Sequence, residues 1–147
     1  MLFRSGVNTL LVTASDTPVP DIIALAATLA NDGIVNIPGP AGTGVFAVAT
    51  TNVGVAGTIT VAADTGSAAL PVSLALCQTN PATAACLAPP ASSVTTPINA
   101  HDTPTFSIFV TGGGVVPFDP GNNRVFVRFT DAGGVTRGAT GVAVRTQ

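Results

Sequence analysis

The chain has 147 residues, is 46% hydrophobic and only 8% charged, and carries a formal net charge of −2. Every charged side chain is Arg or Asp; Lys, Glu, Trp and Tyr are absent. So few cations exclude a nucleic-acid binder, which must neutralise several phosphates, and no basic amphipathic stretch offers a membrane-surface helix.

The length suits one domain. The 16 Gly and 12 Pro, set among abundant Thr, Val and Ala, describe many short strands joined by turns. No apolar run approaches the ~20 residues of a membrane span, so no membrane insertion is expected. A signal peptide at the N-terminus is not expected either, because Asn8 and Thr9 break its apolar region. Leu2-Phe3-Arg4-Ser5 reads like a translated sequencing adapter, so residues 1–5 are expected to be an assembly artefact.

In chain order, Asn8 to Ala14 is the first expected strand, and Asp16 to Asp21 a linker stiffened by Pro18 and Pro20. Ile22 to Thr28 reads as a strand rather than a helical turn, and Asn31-Asp32-Gly33 as a turn. Pro38 to Gly44 is a connection. Val45 to Val53 is apolar on both faces and should be a central strand. Thr58 to Ala63 alternates, with Ile59 and Val61 inward, and Asp64 to Ser67 turns the chain. Val72, Leu74 and Leu76 make the next inward face. Ser93 to Ile98 contains Pro97 and should be an edge strand.

Phe106, Ile108 and Val110 share a face in Thr105 to Thr111, and Gly112 to Gly114 end that strand. Arg124 to Asp131 is the closing strand of its module, with Val125, Val127 and Phe129 on one face; Asp131 to Gly138 turns it towards a hairpin partner at Gly141 to Thr146. A fainter copy of Gly121 to Asp131 lies at Gly6 to Asp16. The echo implies that residues 1–28 hold the end of a preceding module and a linker, and residues 29–147 a whole module. Short strands at regular spacing, with no convincing helix, specify an all-β antiparallel sandwich of about seven to nine strands.

Cys77 and Cys86 flank eight residues. A lone pair without a nearby His does not make a zinc site, and the spacing is wrong for a redox motif. A disulfide tying an exposed loop is the expectation, and with it an oxidising compartment, extracellular or on the cell surface. His101-Asp102 is the one acid–base pair, with Ser92, Ser93 and Ser107 not far off in sequence, but no nucleophile-elbow motif accompanies them. A solvated loop histidine is the expectation, and no enzyme activity. Asp16, Asp21 and Asp131, at the linker and its counterpart, are the candidates for calcium; the alternative is that they cap turns. No other cofactor, and no small-molecule ligand, is expected.

The stretch from about Gly44 to Gln147 resembles the immunoglobulin-like β-sandwich repeats of large secreted or surface-exposed bacterial proteins. The resemblance is carried by Asn52-Val53-Gly54, by Leu76 to Pro81 with Cys86, by Val116 to Pro120, and by Arg124 to Phe129. Two departures stand beside it: there is no core Trp, and the cysteines are too close in sequence for an inter-sheet disulfide. The resemblance implies a non-catalytic structural or adhesive module, whose partners would be neighbouring modules or other surface proteins. An accessory domain of a secreted enzyme, and a calcium- or carbohydrate-binding module, are the alternatives.

Overall fold

The computed structural model describes Leu11 and residues 14–147. The strand expected at residues 8–14 lies, apart from Leu11 and Ala14, outside the described residues. The described chain forms nine strands and no helix: β1 (Ile22–Ala27), β2 (Ile34–Ile37), β3 (Thr43–Asn52), β4 (Gly57–Asp64), β5 (Val72–Thr79), β6 (Ser93–Ile98), β7 (Thr105–Gly112), β8 (Arg124–Asp131) and β9 (Thr136–Thr146). They build a sandwich of two sheets, in the orders β1-β3-β7-β5 and β2-β9-β8-β4-β6.

Alternation drives this pairing. Phe46 and Val48 of β3, Phe106, Ile108 and Val110 of β7, Ile59 and Val61 of β4, and Val125, Val127 and Phe129 of β8 are each at most 2% exposed, and they meet between the layers. The rings of Phe106 and Phe129, one from each sheet, lie edge to face with centroids 5.7 Å apart, a geometry that adds about 0.5–1.5 kcal/mol to simple burial. The inward faces expected for β4, β5, β7 and β8 are all observed, and so is the edge position of β6, where Pro97 sits opposite Thr58.

The orders β1-β3-β7-β5 and β9-β8-β4 correspond to the ABED and GFC sheets of the immunoglobulin arrangement. Two strands are extra. β2 runs parallel to β9, so the sandwich is not wholly antiparallel. It is only four residues long and interrupted by Asn36, which hides it in the sequence. β6 pairs with β4 yet falls between β5 and β7 in the chain, so the polypeptide visits the first sheet, the second, and the first again.

Three boundaries differ from expectation. β1 pairs with β3 from Ile22↔Asn52 to Ala27↔Ala47, so the sandwich takes in residues ahead of the division at residue 29. β8 is not the closing strand: it lies inside the second sheet, between β9 and β4. β9 closes the fold and starts at Thr136, five residues before Gly141, because Asp131 folds a tight turn over Ala132–Val135.

The strand ends define two poles. At the near pole lie Ile22, the β3–β4 turn, the β6–β7 loop and the β8–β9 turn. At the far pole lie Ile37, Gly42, Gly112, Val116 and the last residue, Gln147, joined by Gly39 N–H to Gln147 O (3.0 Å), Gly112 N–H to Gly42 O (2.8 Å) and Thr146 N–H to Val116 O (2.9 Å).

Candidate functional site

The near pole is organised by one buried polar side chain. Asn52, fully buried at the end of β3, accepts at Oδ1 from Asp21 N–H (3.1 Å) and Gly54 N–H (3.0 Å). Its Nδ2 donates to Val55 O (2.8 Å) and Asn99 O (3.2 Å). Its own backbone pairs with the β6–β7 loop: Asn52 N–H donates to Asp102 O (3.0 Å) and His101 N–H to Asn52 O (2.8 Å). One amide thus ties together the linker, the β3–β4 turn and the β6–β7 loop, and satisfies backbone groups that regular structure leaves unpaired.

The linker is fastened further. Val53 N–H donates to Asp21 O (2.9 Å) and Val55 N–H to Val19 O (3.2 Å). Gly54 has to be glycine here: a Cβ would stand 2.2 Å from Val19 O. Residues 19–21 are therefore part of the sandwich rather than a free tether.

The one candidate acid–base pair, His101-Asp102, lies in the β6–β7 loop of this architecture. His101 is exposed, with a φ of 68°, and Asp102 Oδ2 accepts from Asn99 N–H (2.8 Å), closing the β6–β7 loop. Ser107 projects from the outer side of β7, next to Ile108 of the core, while Ser93 opens β6 in the other sheet. The pair builds a turn, and no hydrogen bond links it to these serines.

The calcium candidates are not gathered. Among the described residues no group of three or more His, Cys, Asp or Glu side chains is placed to share a metal ion. Asp16 lies exposed in the linker. Asp21 keeps Oδ1 buried, with no hydrogen-bond partner among the described residues. Asp131 is committed to its turn: Oδ1 accepts from Gly133 N–H (2.9 Å) and Val135 N–H (3.0 Å), and Oδ2 meets Arg137 Nε at 2.6 Å.

The Val135 N–H foremost, and then the Arg137 guanidinium, hold the Asp131 carboxyl below its ordinary pKa. Burial pushes Asp64 up, but the hydrogen bonds from Arg128 and Gly66 N–H outweigh it and leave that carboxyl lowered as well. A carboxyl whose folded pKa is depressed stabilises the fold above its unfolded pKa, and that contribution is lost as pH falls through the folded value. The melting temperature should therefore hold steady down to about pH 5 and drop below about pH 4. Asp131→Asn should flatten that acid limb; thermal melts followed by circular dichroism across the range check it, and an unchanged limb contradicts the assignment.

Cys77 and Cys86 are joined in a disulfide, with Cα atoms 5.5 Å apart. Cys77 is buried on the outer side of β5, and the bond draws residues 80–91 back along that strand. Leu76 N–H donates to Ala91 O (2.8 Å), Ala91 N–H to Leu76 O (2.9 Å), and Leu87 N–H to Gln78 O (2.9 Å). The loop therefore fills hydrogen-bonding positions along the free edge of β5, which would otherwise be open to another strand.

Charge is divided sharply between the sheets. β1, β3, β5 and β7 contain no ionisable group apart from the disulfide cysteine, whereas Asp64, Arg124, Arg128, Asp131, Arg137 and Arg145 all lie in the second sheet. There Arg128 sits over the Phe126 ring (5.1 Å) and pairs with Asp64, and Arg145 sits over Phe118 (5.0 Å) and donates to Asn36 Oδ1 (2.7 Å). Arg124 is buried and donates to Pro120 O (2.9 Å); burial pushes its pKa down. The outer face of the first sheet is uncharged and mixes hydroxyl side chains such as Thr43, Ser107 and Thr111 with exposed leucines: Leu25 is 65% exposed, and Leu29, in the connection to β2, 91%.

The clamp by Asn52 is not legible in the sequence because Asn52 falls inside the expected strand Val45 to Val53 and its partners are distant; its one signal is the Gly two residues on, in Asn52-Val53-Gly54. No protein-family model matches the chain, and no curated protein matches it.

Proposed function

We propose that this chain is a non-catalytic structural or adhesive β-sandwich module of an exported bacterial repeat protein, working in spacing, display or protein contact. The observation that carries the reading is that the fastened linker and the end of the last strand, β9, lie at opposite poles. Asn52 and the β3–β4 turn hold residues 19–21 fast at the near pole, and Gln147 lies at the far pole. A unit so arranged stacks in line when repeated, and a fastened linker transmits orientation from one unit to the next.

Two further features favour it. The disulfide fits an oxidising compartment, and the polar groups that might have served catalysis are engaged in turns. The partners implied are neighbouring modules or other surface proteins.

The test is made on cells of the source organism. An antibody raised against the chain should label intact cells, and the cysteines of freshly harvested protein should resist thiol reagents until reduced. Labelling only after lysis, with both thiols free, would remove the export reading.

A further inference from the structure

The sequence contains a single Asp–Pro bond, Asp119–Pro120. Asp–Pro is the most acid-labile kind of peptide bond, for a chemical reason. The aspartate carboxylate can close a five-membered ring on its own carbonyl carbon, and the departing proline nitrogen, a secondary amine, takes up a proton readily. The bond lies between β7 and β8, in a stretch where Pro117, Phe118 and Asp119 are all exposed.

This loop gathers the parts of that reaction. Asn122 grips Asp119 twice: its backbone N–H donates to Asp119 O (3.1 Å) and its side-chain Nδ2 to Asp119 Oδ2 (2.9 Å). One residue therefore holds the carboxylate and the carbonyl together. Asn123 N–H donates to the same carbonyl oxygen at 2.7 Å. Two N–H groups thus point at the oxygen on which negative charge grows during attack, as in an oxyanion hole. Oδ1 makes no hydrogen bond among the described residues. The space beside it is open, since a Cβ at Gly121 would meet only Oδ1, at 3.9 Å. Across the bond, Arg124 Nη1 donates to Pro120 O (2.9 Å), and Asn123 Nδ2 steadies the approach by donating to Pro117 O (3.0 Å). Both ends of the bond are fixed, with the nucleophile beside it.

We propose that Asp119–Pro120 is a self-cleavage site. Oδ1 attacks the Asp119 carbonyl carbon, and the electron pair of the C=O bond moves to the oxygen held by Asn122 and Asn123. When the carbonyl re-forms, the C–N bond breaks and its electron pair goes to Pro120 N, which takes a proton from the acidic solvent. Asp119 is left as a cyclic anhydride. Water then adds to it, so that one water is consumed and Asp119 ends as a free C-terminus and Pro120 as a free N-terminus. The event happens once per chain and turns over no substrate, so it goes beyond the proposed function without altering it. The two pieces stay together, because β8 pairs with β4 and β9 with β2. Cleavage therefore replaces a covalent link by sheet pairing and leaves the sandwich assembled.

The experiment follows the full, oxidised chain in mildly acidic buffer by intact mass spectrometry, beside the same chain unfolded in urea. The native chain should yield residues 1–119 and 120–147 about tenfold faster than the unfolded one, a modest share of what a buried oxyanion hole supplies. The rate should not depend on protein concentration. Asn122→Ala, at an exposed position, should slow the native reaction about tenfold and leave the rate in urea unchanged, because it releases the carboxylate without touching the nucleophile. Asp119→Glu, whose longer side chain must close a six-membered ring, should stop it. Both variants should melt within about 3 °C of the parent, as surface substitutions do. A native chain cut no faster than the unfolded one, a cut at another bond, cleavage that persists in Asp119→Glu, or full speed in Asn122→Ala would each overturn the proposal.

Discussion

Asn52→Ala should lower stability by about 3 kcal/mol, the cost of stranding several buried backbone groups at once. For a sandwich of this size that is a fall of about 10 °C in melting temperature. Asp21 and Gly54 lose the acceptor for their N–H groups, and the carbonyls of Val55 and Asn99 lose a donor. The loss should show first in hydrogen exchange, as faster exchange at Asp21 and Gly54 before the core strands respond. Asn52→Asp sharpens the test, because it keeps the acceptor, removes the donor and buries a charge. Burial raises the pKa of the new carboxyl above its unfolded value. Stability should then be greatest below the unfolded pKa and be lost as pH rises, so the variant should be worse at about pH 7 than at about pH 4. A variant as stable as the parent, or one insensitive to pH, would mean that water replaces the amide without cost.

The disulfide carries the second large effect. Closing a loop with a sequence separation of 9 restrains the unfolded chain by about 2.5–3 kcal/mol on the chain-entropy account. Reduction, or Cys77→Ala with Cys86→Ala, should therefore lower the melting temperature by about 8–10 °C. The folded state suffers as well. Without the bond, nothing covalent holds Ala91 and Leu87 against Leu76 and Gln78, and the edge of β5 opens. Open edges recruit strands, so the reduced protein should form higher oligomers on warming. Light scattering with and without reductant reads both effects; a reduced chain that melts where the oxidised one does, and stays unassociated, contradicts them.

The sequence made the core legible because period-two alternation is a local signal. Val125, Val127 and Phe129 could be placed inward from their spacing alone, as could Ile59 and Val61, and Pro97 marked an edge by removing a ladder donor. The loop disulfide was legible because two cysteines so close in sequence leave few other uses. What was hidden is what depends on distant partners. β2 is strand only because β9 lies beside it. β1 reads as a strand, but its place in the first sheet depends on β3, so the division between modules was set behind it at residue 29. The β8–β9 turn was drawn too long, because nothing in Gly133-Gly134 shows that Asp131 will bond back to Val135 and let Thr136 resume the strand. Asn52 acquires its role from three segments that meet only after folding. His101-Asp102 and Asp131, which suggested chemistry, proved to be turn builders, a use their residue types equally allow.

The central proposal is that the sandwich is a spacing unit, with a fastened linker at one pole and the end of β9 at the other. Small-angle X-ray scattering on two copies of residues 14–147 joined head to tail tests it most directly. β9, with 11 residues, spans about 36 Å from pole to pole. Two units in line should then give a maximum dimension of about 80–90 Å, shortened or broadened by Asn52→Ala, which unfastens the linker. A broad, compact distribution near about 50–60 Å, unchanged by Asn52→Ala, would contradict it.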